Sequence, residues 1–303
     1  MKNKAPLISM GMPIYNEAKW LGQALDSLLT QTFEDFELII SDNASTDESR
    51  KIVQDYAAKD ARIKLYHQAE DIGAIENFEF VLAQARGDYF MWVGGHDLWS
   101  SNLLDVLLKE MQANPHVVLC FPQTVLIDRE NRPLTVFNET VDTRSEQSAA
   151  GRIWAMHRQL KRSNAIYGLH RREVLLSTLP WPKIVGGDSV LLVRAAAVGD
   201  VLTNSTGQWF RRKNHEHSSL ETVQRRVQAL KLSNLEAVFP VFATRVAIMA
   251  EFLKAGGSYR EKIRLLNYGL RRLFLTSNQR QLFINELSFV RARLAQSFGK
   301  TKS

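Results

Sequence analysis

Apolar positions in the first 125 residues recur in two alternating rhythms. Short, nearly unbroken apolar runs predict strands at Leu7 to Met12, Glu37 to Ser41 (ELIIS), Ile63 to Tyr66, Tyr89 to Val93 (YFMWV) and Val117 to Phe121. Between them the period lengthens. Glu17 to Thr30 places Trp20, Leu21, Ala24, Leu25, Leu28 and Leu29 on one helical face. Ser45 and Glu48 stand at the spacing of a capping box ahead of Ile52, Val53 and Tyr56, which predicts a second helix. Ile75 to Gln84 and Leu103 to Met111 supply the third and fourth. Strand followed by helix in this order predicts an α/β fold with a mostly parallel sheet and right-handed crossovers.

From about Asn131 the rhythm breaks. Trp154 to Arg162 reads as a helix, Ala165 to Leu169 as a strand, and Ser189 to Ala197 as a helix. After Val201 the chain turns polar and basic (QWFRRKNHEHSS). From Glu221 onward it is compatible with helix almost throughout, with breaks near Gly256–Gly257 and near Thr276 to Gln279.

Composition changes this picture little. The 303 residues are 45% hydrophobic and 23% charged, which excludes wholesale disorder. A single cysteine, Cys120, excludes a disulfide scaffold and a multi-cysteine zinc site. No apolar stretch approaches the roughly 18 residues that span a bilayer, and the first residues do not read as a signal peptide. The expectation is a soluble, cytoplasmic protein.

Charge is more informative than its total. The formal net charge is +7, yet residues 225–303 hold fifteen Lys/Arg against four Asp/Glu, a net +11 that leaves the first 224 residues at −4. Between Arg260 and Arg293 the basic residues interleave with Leu, Ile, Phe and Val. That pattern suits basic amphipathic helices on an anionic membrane surface, and equally helices packed on the preceding domain with a solvated basic face. No nucleic-acid-binding motif is present, so nucleic acid is not an expected partner.

In an open parallel sheet, ligands bind beyond the carboxyl ends of the strands. Four loops lie there. The first carries Pro13, Tyr15, Asn16 and Glu17, and the second Asp42, Asn43 and Asp47. The third carries Asp71 and Gly73, followed by Asn77, and the fourth reads Gly94-Gly95-His96-Asp97. Polar groups at four such ends describe a pocket able to hold a nucleotide, although Asp42, Ser45 and Asp47 also read as turn and cap residues.

Together these segments resemble the inverting glycosyltransferases of family 2, which share the Rossmann-like GT-A fold. The likeness is carried by PIYNE at 13–17, QTFEDFELIISDNASTD at 31–47, the pair Gly73 and Asn77, and GDYFMWVGGHDLW at 87–99. It implies a GT-A domain over about 1–220, with a nucleotide-binding half near 1–125 and an acceptor half near 126–220. A basic α-helical extension over 221–303 would follow. It also implies that Pro13 to Glu17 and the Asp42 loop hold the base and ribose of a nucleotide-sugar, with Asp71 and Gly73 bordering that pocket and Gly95 and His96 beside it.

The fourth loop departs from the family pattern. Members place an Asp-X-Asp cluster there to bind Mg²⁺ or Mn²⁺, whereas this chain keeps one carboxylate. Asp97 with His96 would hold the ion; His suits Mn²⁺ and is a poor ligand for Mg²⁺. Alternatively Arg211, Arg212, Lys213, His215 or His217 neutralises the diphosphate. The resemblance also offers Asp188, in Gly186-Gly187-Asp188 ahead of an apolar run, as the base, against a plain reading as an N-cap. Trp99, Tyr167, His170, Trp181 and Trp209 are candidate acceptor contacts, each of which also reads as packing. The HEH triplet at 215–217 lacks the spacing of a zinc hydrolase.

The implied activity is transfer of a sugar from a UDP-sugar to a saccharide or lipid-linked glycan in cell-surface polysaccharide synthesis, with peripheral placement at the inner membrane face. Two rivals stand beside it. A nucleotidyltransferase would need a glycine-rich, basic first loop, which PIYNE is not. A non-catalytic nucleotide-sugar binder of the same fold would explain the missing carboxylates in GGHD.

Overall fold

The computed structural model describes residues 5–160, 163–213 and 240–261, together with 263, 264 and 267. Its parallel half follows the strand runs of the sequence. β1 (Ile8–Ile14) lies between β2 (Phe36–Asp42) and β4 (Tyr89–Trp92), and β3 (Ile63–His67) flanks β2. The register pairs Ile8 with Phe36 and Ile14 with Asp42, while His67 aligns with Asp42. All three strands therefore end level, and the loops that follow them open at one edge.

Beyond β4 the sheet becomes mixed. β4 pairs antiparallel with β8 (Leu169–Arg171), and β8 with β6 (Val117–Ile127). β6 runs parallel to β9 (Asp200–Arg212), which takes the short β5 (Leu98–Trp99) at its far side. β7 (Pro133–Phe137) hangs on β6. Among the described residues the nine strands thus combine a parallel half with a mixed half.

Three local expectations change. The Ala165 to Leu169 strand is a 3₁₀ turn at Ser163–Tyr167, and the strand begins only at Leu169. The polar stretch after Val201 is a thirteen-residue strand, β9. The Ser45–Glu48 capping box does not form. The helix starts at Ser49, without a side-chain cap, because the Ser45 hydroxyl accepts the Asn16 backbone N–H instead.

Strand alternation divides the core. Ile8, Met10, Met12 and Ile14 face one side, against α1 (Ala18–Leu29), α2 (Ser49–Ala57) and α4 (Leu103–Ala113). Phe90 and Trp92 face the other. There they meet α3 (Ala74–Ala83), α5 (Ala149–Gln159), α6 (Arg172–Ser177) and α7 (Gly187–Val198). α8 (Pro240–Lys254), inside the basic extension, contributes Phe252 to this second core, and its Glu251 pairs with Arg194 of α7 at 3.1 Å. The rest of the extension lies outside the described residues, apart from a short stretch after α8. Among the described residues no helix is long and apolar enough to cross a membrane.

One buried polar network pins the parallel half. The Ser9 hydroxyl donates to Glu37 Oε1 at 2.7 Å, and the Arg86 backbone N–H donates to the same oxygen at 3.1 Å. Arg86 Nη2 donates to Oε2 at 2.8 Å. Glu37→Gln keeps an acceptor for Ser9 but presents amide hydrogens to the guanidinium. A loss of about 1 kcal/mol in denaturant unfolding is expected, below the usual value for a hydrogen bond to a charged group because Arg86 is half exposed.

Candidate active site

The level ends of β1, β2 and β3 create the first cleft, of about 220 Å³. Pro13, Tyr15 and Glu17 from the first loop, Asn43 from the second, Asp71 from the third and Asn77 from α3 line it, with Ala74 and Phe78. The Asn43 amide donates to Asp71 Oδ1 at 2.6 Å and accepts the Ile72 N–H at 2.9 Å, so the second and third loops form one wall. Asp71 Oδ1 also accepts the Gly73 N–H, which turns the chain into α3 at a Gly73 φ of 100°. The Asn77 amide donates to Ser41 O at 3.1 Å, tying that helix to β2.

Asp42 does not face this cleft. Its carboxylate is fully buried, accepting the Ser45 N–H and Arg50 Nε, both at 3.0 Å, with His67 Nδ1 at 3.3 Å. Burial alone would raise its pKa, but the bonds from Ser45, Arg50 and His67 outweigh burial and hold it below the usual carboxylate range. The direct ligand role expected of Asp42 is therefore corrected. Asp42 shapes the loop, and the neighbouring Asn43 presents the polar group. Asn16 is likewise a turn former, at φ 55°, with its amide oxygen accepting the Thr46 N–H.

The fourth loop closes onto the first. A Cβ at Gly95 would lie 3.2 Å from both Glu17 Cβ and Cγ, so only glycine lets the loop settle against Glu17 without displacing it. That approach brings His96 Nδ1 to 2.9 and 3.0 Å from the two Glu17 oxygens. Burial would lower the His96 pKa, but Glu17 and Asp97 outweigh it and raise it. Burial pushes the Asp97 carboxyl upward. Asp97 accepts Trp209 Nε1–H at 3.1 Å and the Arg212 backbone N–H at 2.8 Å.

His96 Nε2 and Asp97 Oδ1 lie 3.8 Å apart, a separation that two ligands of one ion can share. Among the described residues no group of three or more His, Cys, Asp or Glu side chains converges on a metal position. Among the described residues the pair offers two donors, a nitrogen and an oxygen. Such a set fits Mn²⁺ with its shell completed by diphosphate oxygens and water, and fits Mg²⁺ poorly.

A second cleft, of about 270 Å³, adjoins the first through shared Ala74 and Phe78. Ile166, Tyr167, Trp181, Ile184 and Val185 wall it, and Gly186, Gly187 and Asp188 form its end. The α7 cap is Gly186, at φ 85°, so Asp188 sits inside the first turn rather than at the N-cap position. A Cβ at Gly187 would collide with the Pro182 carbonyl and lie 2.8 Å from Trp181 Nε1, so the loop folds this tightly only with glycine there.

Groups that sequence reasoning missed hold this loop. Glu79 of α3 accepts the Trp181 N–H at 2.7 Å, Glu76 pairs with Lys183, and Thr244 of α8 donates to Val185 O. No local pattern signals them, because each bridges distant segments.

The other candidates divide. Trp99 is buried in strand pairing opposite Trp209, and Trp209 is buried with its indole on Asp97, so neither lines either of these two clefts. His170 is buried, with its pKa pushed down to about 4 by burial, and bonds Ile166 O. Arg212 corrects the diphosphate expectation. Its guanidinium is buried and spent on the carbonyls of His96, Asp128 and Arg129. Arg211 bonds the Asn164 amide oxygen at 3.2 Å, and Lys213 is exposed. His215 and His217 lie outside the described residues.

Residues 9–165 match the family described as Glycosyl transferase family 2. The chain is 38% identical over 109 residues to the uncharacterized glycosyltransferase EpsJ of Bacillus subtilis, covering 36% of this chain and 31% of EpsJ. The match therefore spans about a third of that relative's length. In fold the chain is similar to S. aureus TarS 1-349 in complex with UDP-GlcNAc. That likeness has a TM-score of 0.67 and 18% identity over 93% of this chain and 80% of the other. It is also similar to the mannosyltransferase PcManGT from Pyrobaculum calidifontis in complex with GDP-Man and Mn²⁺. There the TM-score is 0.54, with 18% identity over 98% of this chain and 89% of the other.

Proposed function

The chain belongs to glycosyl transferase family 2, and we propose that it moves a sugar from a UDP-sugar onto a hydroxyl of a saccharide or lipid-linked glycan. The observation that carries this reading is the pair of adjoining clefts. One is lined by polar groups from the three loops that follow β1, β2 and β3 and from α3, the other closes on a carboxylate, and Ala74 and Phe78 belong to both. Pro13, Tyr15, Asn43, Asp71 and Asn77 would receive the nucleotide, with Asn43 and Asp71 held rigid by their mutual hydrogen bond. Asp188 would take the acceptor hydroxyl proton as the nucleophile attacks the sugar carbon opposite the departing diphosphate, inverting that centre. Trp181 and Tyr167 would exclude water from the acceptor side.

His96 and Asp97 are the residues that would hold a divalent ion. When bound there, such an ion supplies charge neutralisation for the leaving diphosphate. Cell-surface polysaccharide synthesis at the inner membrane face is the setting that fits a lipid-linked acceptor, with the basic extension meeting anionic lipid. In this reading residues 1–220 carry donor and acceptor sites, and α8 braces the acceptor loop through Thr244 and Val185.

Calorimetry with a panel of nucleotide-sugars and a coupled assay for released diphosphate test the proposal. UDP-sugars are expected to bind more tightly than GDP- or CMP-sugars. Asn43→Ala is expected to weaken UDP binding about 10-fold, the value of one hydrogen bond to a rigid wall. Binding without turnover across saccharide and lipid-linked acceptors would convert the protein into a non-catalytic binder.

A further inference from the structure

Two features of the fourth loop belong together. Glu17 is 79 residues before His96, yet both of its carboxylate oxygens lie at hydrogen-bond distance from His96 Nδ1. Its own position is fixed from two sides. The Glu17 backbone N–H donates to Ser49 Oγ at 2.8 Å, and its methylenes pack on Gly95. A carboxylate can only accept, so Nδ1 carries the hydrogen, and in the neutral ring the Nε2 lone pair then faces outward from Glu17. That lone pair lies 3.8 Å from Asp97 Oδ1, whose orientation is set by Trp209 and Arg212.

We infer that Glu17 is a positioning residue for a two-donor Mn²⁺ seat made by His96 Nε2 and Asp97 Oδ1. The inference rests on the donor reading above, because two protein donors suffice only when a diphosphate completes the shell. A carboxylate that bonds the far nitrogen of a metal-binding histidine fixes its tautomer and ring orientation and raises its basicity. The seat contains an imidazole in place of a second carboxylate, so it selects Mn²⁺ over Mg²⁺. Glu17 is thereby assigned a role different from direct contact with the nucleotide. It faces the first cleft, but its carboxylate is engaged by the histidine.

The test titrates Mn²⁺ into the full chain at pH 8, alone and with saturating UDP, and reads free Mn²⁺ by electron paramagnetic resonance. Wild type is expected to bind Mn²⁺ more tightly with UDP present, and Mg²⁺ is expected to displace it only in large excess. Glu17→Ala is expected to weaken Mn²⁺ binding about 10–100-fold, the usual loss on removing such a partner. Glu17→Gln, which retains an acceptor without the charge, is expected to fall between. His96→Asp is expected to shift preference toward Mg²⁺. Thermal melting, run on every variant, checks that the fold is kept, and UDP calorimetry in EDTA measures what Glu17 contributes to the cleft it lines, so that the loss of Mn²⁺ affinity without UDP reads positioning apart from both. Equal Mn²⁺ affinity in Glu17→Ala and wild type overturns the role, as does a wild-type seat that binds no Mn²⁺ or prefers Mg²⁺. In those cases UDP binding in EDTA leaves the donor reading standing. Failure of UDP to bind removes the donor reading itself, and the proposed seat with it.

Discussion

Asp188→Asn is expected to fold as wild type and to lose at least about 100-fold in sugar transfer, the low end of general-base effects. That corresponds to about 2.7 kcal/mol of transition-state stabilisation. Folding should be preserved because Asp188 Oδ1 accepts the Ser189 N–H at 2.8 Å, and an asparagine carbonyl oxygen accepts it equally well. What the amide cannot do is receive a proton from the acceptor hydroxyl. The donor cleft contains none of the Gly186–Asp188 atoms, so UDP affinity is expected to stay within about twofold of wild type. The measurement is diphosphate release with and without acceptor, set beside UDP calorimetry and a melting curve. Near-normal turnover in this variant would take Asp188 out of the base role while leaving the two-cleft geometry intact. A parallel loss of UDP binding would instead show that the two clefts are coupled through Phe78.

The parts of this design that could be read from sequence are those in which local pattern and burial coincide. β1, β2 and β4 are buried on both faces, so their apolar runs were visible as strands. β9 was not, because Asn204, Gln208, Arg211 and Arg212 break the alternation. Its strand conformation comes from pairing with β6 on one side and β5 on the other. The same limit governs the site. Loop positions at the strand ends were legible through the topology rule, and Asn43, Asp71 and Asn77 line the cleft. The direction in which each side chain turns was not legible. Asp42 and Asn43 are adjacent, yet one is turned inward by Arg50 and His67 and the other reaches Asp71. His96 and Arg212 likewise depend on partners far away in sequence. Glu17 takes the imidazole, and three backbone carbonyls take the guanidinium. Ser45 illustrates the competition directly: its spacing suits a cap, but the loop after β1 supplies an N–H that takes the hydroxyl first.

Trp92→Ala is expected to cost about 3–5 kcal/mol, the range for removing a large buried aromatic ring. Trp92 is fully buried between the sheet and the acceptor loop. Its ring centroid lies 5.1 Å from Phe90, 5.2 Å from Trp181, 5.9 Å from His170 and 6.1 Å from Phe78, the first three in edge-to-face contact. The indole N–H donates to Phe78 O at 3.1 Å, which ties β4 to α3. An alanine would leave a cavity bordered by four rings that cannot all close on it, since Phe90 is fixed in β4 and His170 in β8. Trp92→Phe keeps most of the volume and is expected to cost about 1–2 kcal/mol, chiefly through the lost N–H donor and a partial cavity. Chemical unfolding of the two variants separates packing from hydrogen bonding. The effect on function has a direction as well. Phe78 borders both clefts and Trp181 walls the second, so a collapse toward residue 92 moves the acceptor side more than the Asn43–Asp71 wall. At temperatures where Trp92→Ala remains folded, acceptor KM is therefore expected to rise while UDP affinity changes little. A variant that loses UDP binding first would show that α3, rather than the acceptor loop, is what Trp92 supports.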